Sequence, residues 1–176
     1  MGIGRSRLTV FCFKKPVIAI EKRNFFWILR VKNCNAIMAK PNISLKVRLI
    51  LYHKGSILLL KQTKPNGGNY TLVGGNIENM ERARETLIRE SFEEAGIILK
   101  EKDLQLVHVL QKIKKGQQRI ILYFKAYRWE GKLKARETHK FKEVEWFELD
   151  SLPNNLTPTI QHVLEAYRKG LLFSTF

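Results

Sequence analysis

Between Ser44 and Gly170 the chain alternates between two hydrophobic periods. Residues 45–52 and 56–61 are rich in Leu, Ile and Val on either side of His53-Lys54-Gly55. That turn signal between two apolar runs predicts a β-hairpin. Lys64–Asn69 is a loop by composition, and Tyr70–Val73 reads as a short strand that delivers Gly74 and Gly75. Leu104–Lys112 and Arg119–Trp129 read as strands joined by the basic turn Lys114-Lys115-Gly116, and Glu143–Phe147 as a further one. The period becomes helical twice. From about Glu81 to Ala95, residues Leu87, Ile88, Ser91, Phe92 and Ala95 gather on one side of a wheel of about 100° per residue. Gly96 is placed to end that helix in the left-handed conformation. Thr157 and Pro158 open a second helix, with Ile160, Val163, Leu164 and Tyr167 as its core face. Strands with interspersed helices specify an α+β or α/β layered domain. There is no internal repeat and no low-complexity segment.

At 176 residues, one domain with a proper core is the expectation. Residues 1–38 have a different character. They hold eight basic residues against Glu21 alone, and their apolar runs are cut by Lys14, Lys15, Arg23 and Arg30. None is long enough to span a bilayer, and no small-residue cleavage site follows an apolar core. The stretch faintly resembles an organellar transit sequence, with its aromatics against it, and Met1–Ser6 fits the short N-myristoylation pattern. The reading preferred here is a basic N-terminal extension over 1–38, with the domain proper over 39–176. Cys12 and Cys34 show neither a pairing pattern nor zinc spacing, so a reducing cytoplasm is the expected compartment.

Charge changes the picture further. The formal net charge is +16, which points to a polyanionic partner: a nucleotide, a nucleic acid or a membrane surface. Against that background, Gly74–Ile97 collects Glu78, Glu81, Glu85, Glu90, Glu93 and Glu94. On the helical wheel Glu93 and Glu94 fall on either side of Glu90. Like charges so placed destabilise a helix, and a hard divalent cation with oxygen ligands would offset them. Arg89 lies one turn before Glu93 and is placed to orient it by a charge-assisted hydrogen bond. Glu81 at the helix start has two readings, a favourable charge for the macrodipole or an outer-shell role.

Gly75, five residues, Glu81, seven residues, then Arg89-Glu90-Ser91-Phe92-Glu93-Glu94-Ala95-Gly96-Ile97 resembles the signature of the Nudix hydrolases. Two positions depart from it: Ser91 stands where an aliphatic residue is usual, and Val73 where Pro usually precedes the glycine pair. The resemblance covers roughly Ser44 to Gly170 and implies the Nudix fold, an α/β/α sandwich with a mixed sheet between helices. It implies a MutT-like enzyme that cleaves a nucleoside diphosphate linked to another group, with Mg²⁺ or Mn²⁺. Glu90, Glu93, Glu94 and the Gly75 carbonyl become the metal ligands. Glu93 is the first choice of base, with Arg89 and Glu90 beside it in the catalytic group. Glu137 and His139 lie in a loop where the family often supplies one more acid.

Other residues carry two readings. Lys46, Arg48, Lys61 and Arg119 alternate along strands, where they meet phosphates or are merely solvated. Tyr70 is a candidate to stack on a base; His108, His162, Trp146 and Phe147 read as packing residues. Arrays typical of the ADP-ribose, dinucleoside polyphosphate, NADH, coenzyme A and oxidised-purine enzymes are missing. The expected substrate is therefore a nucleoside triphosphate or another small nucleotide. Two rivals stand beside it: an RNA 5′-end pyrophosphohydrolase or nucleic-acid binder, and a non-catalytic nucleotide sensor.

Overall fold

The computed structural model describes residues 18–23, 26–31, 42–114 and 116–176. The chain divides into two compact units, Met1–Lys40 and Pro41–Phe176. In the first, β1 (Ile18–Arg23) and β2 (Phe26–Val31) pair as an antiparallel hairpin. The Met1–Ser6 lipidation match, Cys12, Cys34 and Lys115 lie outside the described residues. Among the described residues no helix is long and apolar enough to cross a membrane.

The second unit is built on β3 (Asn42–His53), whose pairing departs from the expected hairpin. β3 meets β4 (Ser56–Gln62) at only two positions, Tyr52↔Ile57 and His53↔Ser56, and then the strands part. β3 turns to β7 (Gln117–Ala126), which runs parallel to it over ten register positions. β4 turns to β8 (Phe141–Glu148), antiparallel along its whole length, and to β5 (Tyr70–Thr71) on its other edge. The gap beside β3 is filled by the chain after β5. Leu49 N–H donates to the Val73 carbonyl, Val47 N–H to the Gly75 carbonyl and Ile77 N–H to the Leu45 carbonyl. The glycine pair is thereby tied to the centre of the sheet. β6 (Gln105–Lys114) continues the sheet beyond β7, and β9 (Phe173–Thr175), which the periodicity did not announce, closes it as a parallel edge strand.

The expected hairpin forms at the Lys54-Gly55 turn but is short; residues 49–51 and 57–60 are buried on both faces, and a continuous apolar run carries no facing information about where the strands part. Val47, Leu49, Leu51, Leu58 and Leu60 pack beneath α1 (Ala83–Ala95), with Leu87 and Ala95. Ile50, Ile57, Leu59, Leu110, Ile121 and Tyr123 pack beneath α2 (Pro158–Arg168), with Ile160, Val163 and Leu164. Mixed sheet and flanking helices make the expected α/β/α sandwich. Trp146 packs against the first core and Phe147 against the second. His108 is buried as expected, but it also has polar partners: its ring nitrogens reach the Leu171 carbonyl at 2.7 Å and Ser174 Oγ at 2.9 Å, which pins the last strand.

Helix α1 begins two residues later than its periodicity suggested, with Arg82 as N-cap and its N–H donating to Glu85 Oε2 at 3.0 Å. Gly96 ends it at φ 69°. Its packed stripe differs from the wheel. Thr86, Leu87, Ser91, Glu94 and Ala95 are buried, whereas Phe92 is 45% exposed. Ser91 Oγ has no hydrogen-bond partner.

Two outcomes are expected. A buried hydroxyl without a partner costs about 1 kcal/mol or more. Ser91→Ala should therefore raise the thermal midpoint by about 3 °C, read by circular dichroism; an unchanged or lower midpoint would show that the hydroxyl is satisfied. A chain trimmed to begin at Met38 should melt in one cooperative transition at the midpoint of the full chain, because, among the described residues, the seven-stranded sheet and both cores lie within Pro41–Phe176. Aggregation of the trimmed chain alone would place residues 1–37 in the folded core.

Candidate active site

The site forms where α1 passes the glycine pair. A Cβ on Gly75 would fall within the Glu90 carboxylate, so only glycine lets that acid lie against the backbone. One residue earlier, the Gly74 N–H donates to Glu94 Oε2 at 2.8 Å. Two acids one turn apart on α1 are thus held against two consecutive residues of the segment paired to β3.

Arg89 organises the remaining acids. Its Nε and Nη2 donate to the two oxygens of Glu81 at 2.9 and 3.0 Å, a bidentate pair. Its Nη1 donates to Glu90 Oε1 at 3.1 Å and to Glu93 Oε2 at 3.0 Å. Glu78 lies 4.0 Å from Nη2. Thr86 Oγ1 and the Glu78 N–H also donate to Glu81 Oε2. Glu81 therefore sits just before α1 and holds Arg89, while the cap belongs to Arg82 and Glu85. Hydrogen bonds from Arg89 above all hold the Glu81 carboxyl down at about 2, and those bonds raise the Arg89 guanidinium in turn.

Glu94 has the opposite environment. It is 4% exposed, and removal from water pushes its carboxyl up to about 7; the Gly74 N–H and Arg48 pull it down, while Glu90 and Glu137 push it further up. The expectation of three acids on one solvated face thus needs correction. Glu93 is 47% exposed, Glu90 is nearly buried and Glu94 belongs to the packed face. The wheel misplaced Glu94 because the segment over it, residues 73–77, approaches through glycines and leaves no room for water.

The other expected residues divide. Glu137 is brought to the acids, since its charge acts on Glu94, and both its oxygens accept from Lys140 Nζ at 2.9 Å. Lys140 was not singled out in the sequence; its signal was its place three residues after Glu137. His139 contributes its backbone, whose carbonyl accepts from Thr63 Oγ1 and Asn66 Nδ2 and so anchors the loop. Arg48 shares a sheet face with Lys46 and Arg119, because register partners and next-but-one neighbours point the same way. Burial first, and the charges of Arg48 and Arg119 next, lower the Lys46 ammonium. Tyr123, the register partner of Arg48, is fully buried and its hydroxyl has no partner.

Tyr70 requires correction as a platform for a base. Tyr70 is buried, donates its hydroxyl to Glu145 Oε1 at 2.6 Å and packs edge-on against Phe147. Lys61 Nζ lies 4.1 Å from the centre of the Tyr70 ring. The ring has a core neighbour and a cation on it, and offers no free face to a base.

Among the described residues no three His, Cys, Asp or Glu side chains already converge in ligand geometry. The donor chemistry nevertheless fits a hard divalent cation. Glu90 and Glu94 repel each other beside the Gly75 carbonyl, and Glu137 adds to the repulsion. Glu93, exposed and held by one guanidinium nitrogen, is the acid free to turn. Because burial favours the proton on Glu94, a cation at this point competes with that proton.

A family model described as NUDIX domain matches residues 44–167. Solved structures with the same fold include a MutT NUDIX hydrolase from Burkholderia pseudomallei, at 28% identity and a TM-score of 0.64, covering 70% of this chain and 96% of that one. A MutT protein from Methanosarcina mazei Go1 aligns at 19% identity and 0.63, covering 74% and 96%. A NUDIX hydrolase from Nitrosomonas europaea aligns at 20% and 0.60, covering 95% and 97%. Among curated proteins, none matches the sequence.

The Glu81–Arg89 pair sets an acid limit on stability. An acid whose folded value lies near 2, below the ordinary 4.5, stabilises the fold above 4.5 and loses that contribution as pH falls from 4.5 towards 2. Glu81→Gln should lower stability at pH 7 by on the order of 2 kcal/mol. The gap between the two melting midpoints should close as pH falls through that window. A gap that is the same at pH 7 and pH 3 would rule out ionisation of Glu81 as its cause.

Proposed function

The chain belongs to the Nudix family, and from that membership we propose a Mg²⁺-dependent pyrophosphohydrolase acting on a nucleoside diphosphate linked to a further group, of which a nucleoside triphosphate is the simplest case. The observation that carries this reading is the acid array itself. Glu81, Glu90 and Glu93 converge on one guanidinium, and Glu94 is held by the adjoining glycine turn. Nudix hydrolases use divalent metals; here Glu90, Glu93, Glu94 and the Gly75 carbonyl are the proposed ligands, with Mn²⁺ as substitute. A bound cation supplies charge neutralisation on the phosphate oxygens and a lowered pKa for water.

The chain's own residues do the rest. Glu93 takes a proton from the attacking water as its oxygen bonds to phosphorus and the bridging P–O bond breaks, leaving two phosphorylated products. Arg89 orients Glu93 and Glu90, and is itself fixed by the bidentate Glu81. Lys46 and Arg48 are within electrostatic range of the acids and Arg119 of Lys46, which suits phosphates bearing several charges. The full set of acids speaks against a non-catalytic sensor, since sensing needs no array of this kind.

Glu93→Gln should lower kcat for nucleoside triphosphates with Mg²⁺ at least a hundredfold, the usual cost of losing a base or ligand. Its thermal midpoint without metal should be nearly unchanged, because Glu93 is half exposed. A Glu93→Gln protein within threefold of wild-type kcat would remove Glu93 from the reaction.

A further inference from the structure

The turn that leads into β8 carries a cation to the edge of the acid site. Residues 137–140 fold back on themselves, with the Lys140 and Phe141 N–H groups donating to the Glu137 carbonyl at 2.8 and 2.9 Å. The turn is strapped on two sides. Towards α1, the Arg136 N–H donates to the Glu94 carbonyl at 3.0 Å. Towards the loop after β4, the Lys140 carbonyl accepts from the Thr63 N–H at 2.9 Å, and the His139 carbonyl from Thr63 Oγ1 and Asn66 Nδ2. The main chain is fixed by these bonds, and the Lys140 side chain is what remains free to turn.

That side chain ends on the Glu137 carboxylate, whose two oxygens each lie 2.9 Å from Nζ. The ammonium belongs to the acid site as well as to the turn. The Glu137 hydrogen bonds above all, and then the charges of Glu137, Glu94 and Glu90, hold it above its ordinary value despite partial burial. Glu137 in turn pushes up the Glu94 carboxyl. Among the described residues, Arg89 and Lys140 both hydrogen-bond to acids of the site, and they differ in grip. Arg89 is 30% exposed and spreads four hydrogen bonds over Glu81, Glu90 and Glu93, in a planar fork matched to carboxylates. Lys140 is 45% exposed and holds one acid through a rotatable ammonium on a flexible stem. The first is built to stay and the second to let go.

An i, i+3 pair that merely stiffens the turn is the plain alternative. The turn is already closed by its backbone bonds, and a half-exposed pair adds little to stability. Stiffening also leaves unexplained why acids of another element, Glu90 and Glu94, act on the same ammonium.

We propose that Lys140 is an exchangeable counter-cation of the acid site: it holds Glu137 while no divalent cation is bound, and swings to a phosphate oxygen of the substrate when a divalent cation takes the acids. The proposal rests on the pyrophosphohydrolase reading and deepens it by naming what regulates entry to the site. Two positive charges share one carboxylate only at a cost, so the ammonium and an incoming cation weaken each other's hold on Glu137 reciprocally. Substrate relieves that competition, because its phosphates offer the ammonium another anion. Cation and substrate therefore bind better together than apart. No covalent bond is made or broken in the exchange.

Isothermal titration calorimetry of the full chain tests both halves, first with MgCl2 alone and then with imidodiphosphate, a non-cleavable pyrophosphate, at saturating Mg²⁺. Lys140→Gln should bind Mg²⁺ alone at least threefold more tightly than wild type, since a competing charge is gone. The same variant should bind imidodiphosphate at least fivefold more weakly, since a charged phosphate partner is gone. Lys140→Arg keeps the charge, and its Mg²⁺ affinity should stay within twofold of wild type. A merely structural pair would not give opposite shifts, because a damaged turn weakens both titrations. Mg²⁺ affinity that is unchanged or weaker in Lys140→Gln would overturn the proposal, as would imidodiphosphate affinity that is unchanged. A Lys140→Arg protein as tight for Mg²⁺ as Lys140→Gln would equally overturn it, since charge would then not be the cause. If wild type binds Mg²⁺ and imidodiphosphate but cleaves no nucleoside triphosphate, the pyrophosphohydrolase reading fails while the calorimetry still judges Lys140. A wild type that binds no Mg²⁺ sinks both.

Discussion

The close approach of α1 to the Gly74–Gly75 turn is the constraint on which the site depends. The Glu90 carboxylate occupies the space where any other residue at position 75 would carry its Cβ. The Gly74 N–H, pointing the same way, takes hold of Glu94. Because the turn is itself bonded to the middle of β3 through Val47 and Leu49, the acids are referenced to a buried part of the sheet. A site on such a base is rigid without a loop of its own. That suits chemistry in which ångström errors in placing reactants are costly.

Electrostatics then separates the acids into two kinds. Glu81, Glu90 and Glu93 share the hydrogen bonds of one Arg89, so their charge is compensated only in part within the protein. Glu94 has one N–H and little water, and carries the cost of burial in its raised pKa. A single helix thus presents a partly compensated and an uncompensated carboxylate within one turn. The uncompensated one marks where an external cation gains most. The chain as a whole has the opposite sign, with a net charge of +16, so an anionic substrate is drawn towards the protein although acids gather at the site.

The helix carries different partners on its two sides. Glu90 and Glu94 face the glycine turn, whereas Phe92 projects outward under the Arg136 guanidinium. The extended chain that satisfies the last carbonyls of α1 through the Lys134 and Arg136 amides is basic at alternate positions, Lys132, Lys134 and Arg136, with Leu133 and Ala135 packed on the core between them. Closing the helix end and presenting cations to solvent are two results of one alternating pattern, apolar inward and basic outward.

Local spacing in the sequence determined the two helices, their termini at Gly96 and Pro158, and the grouping of Arg89 with the acids, since these follow from periods of three and four residues. Tertiary structure alone decided the rest. The apolar runs of β3 and β4 face helices on both sides, so nothing in their composition announced that they part after two register positions. Tyr70 looked available because a lone tyrosine at a strand start carries no sign of what will cover it; Glu145 and Phe147, 75 and 77 residues on, do so. Glu94 could not be told from Glu93 on a wheel, where both flank Glu90. Only the segment lying over one of them removes its water, and burial is a property of the neighbours that the fold supplies.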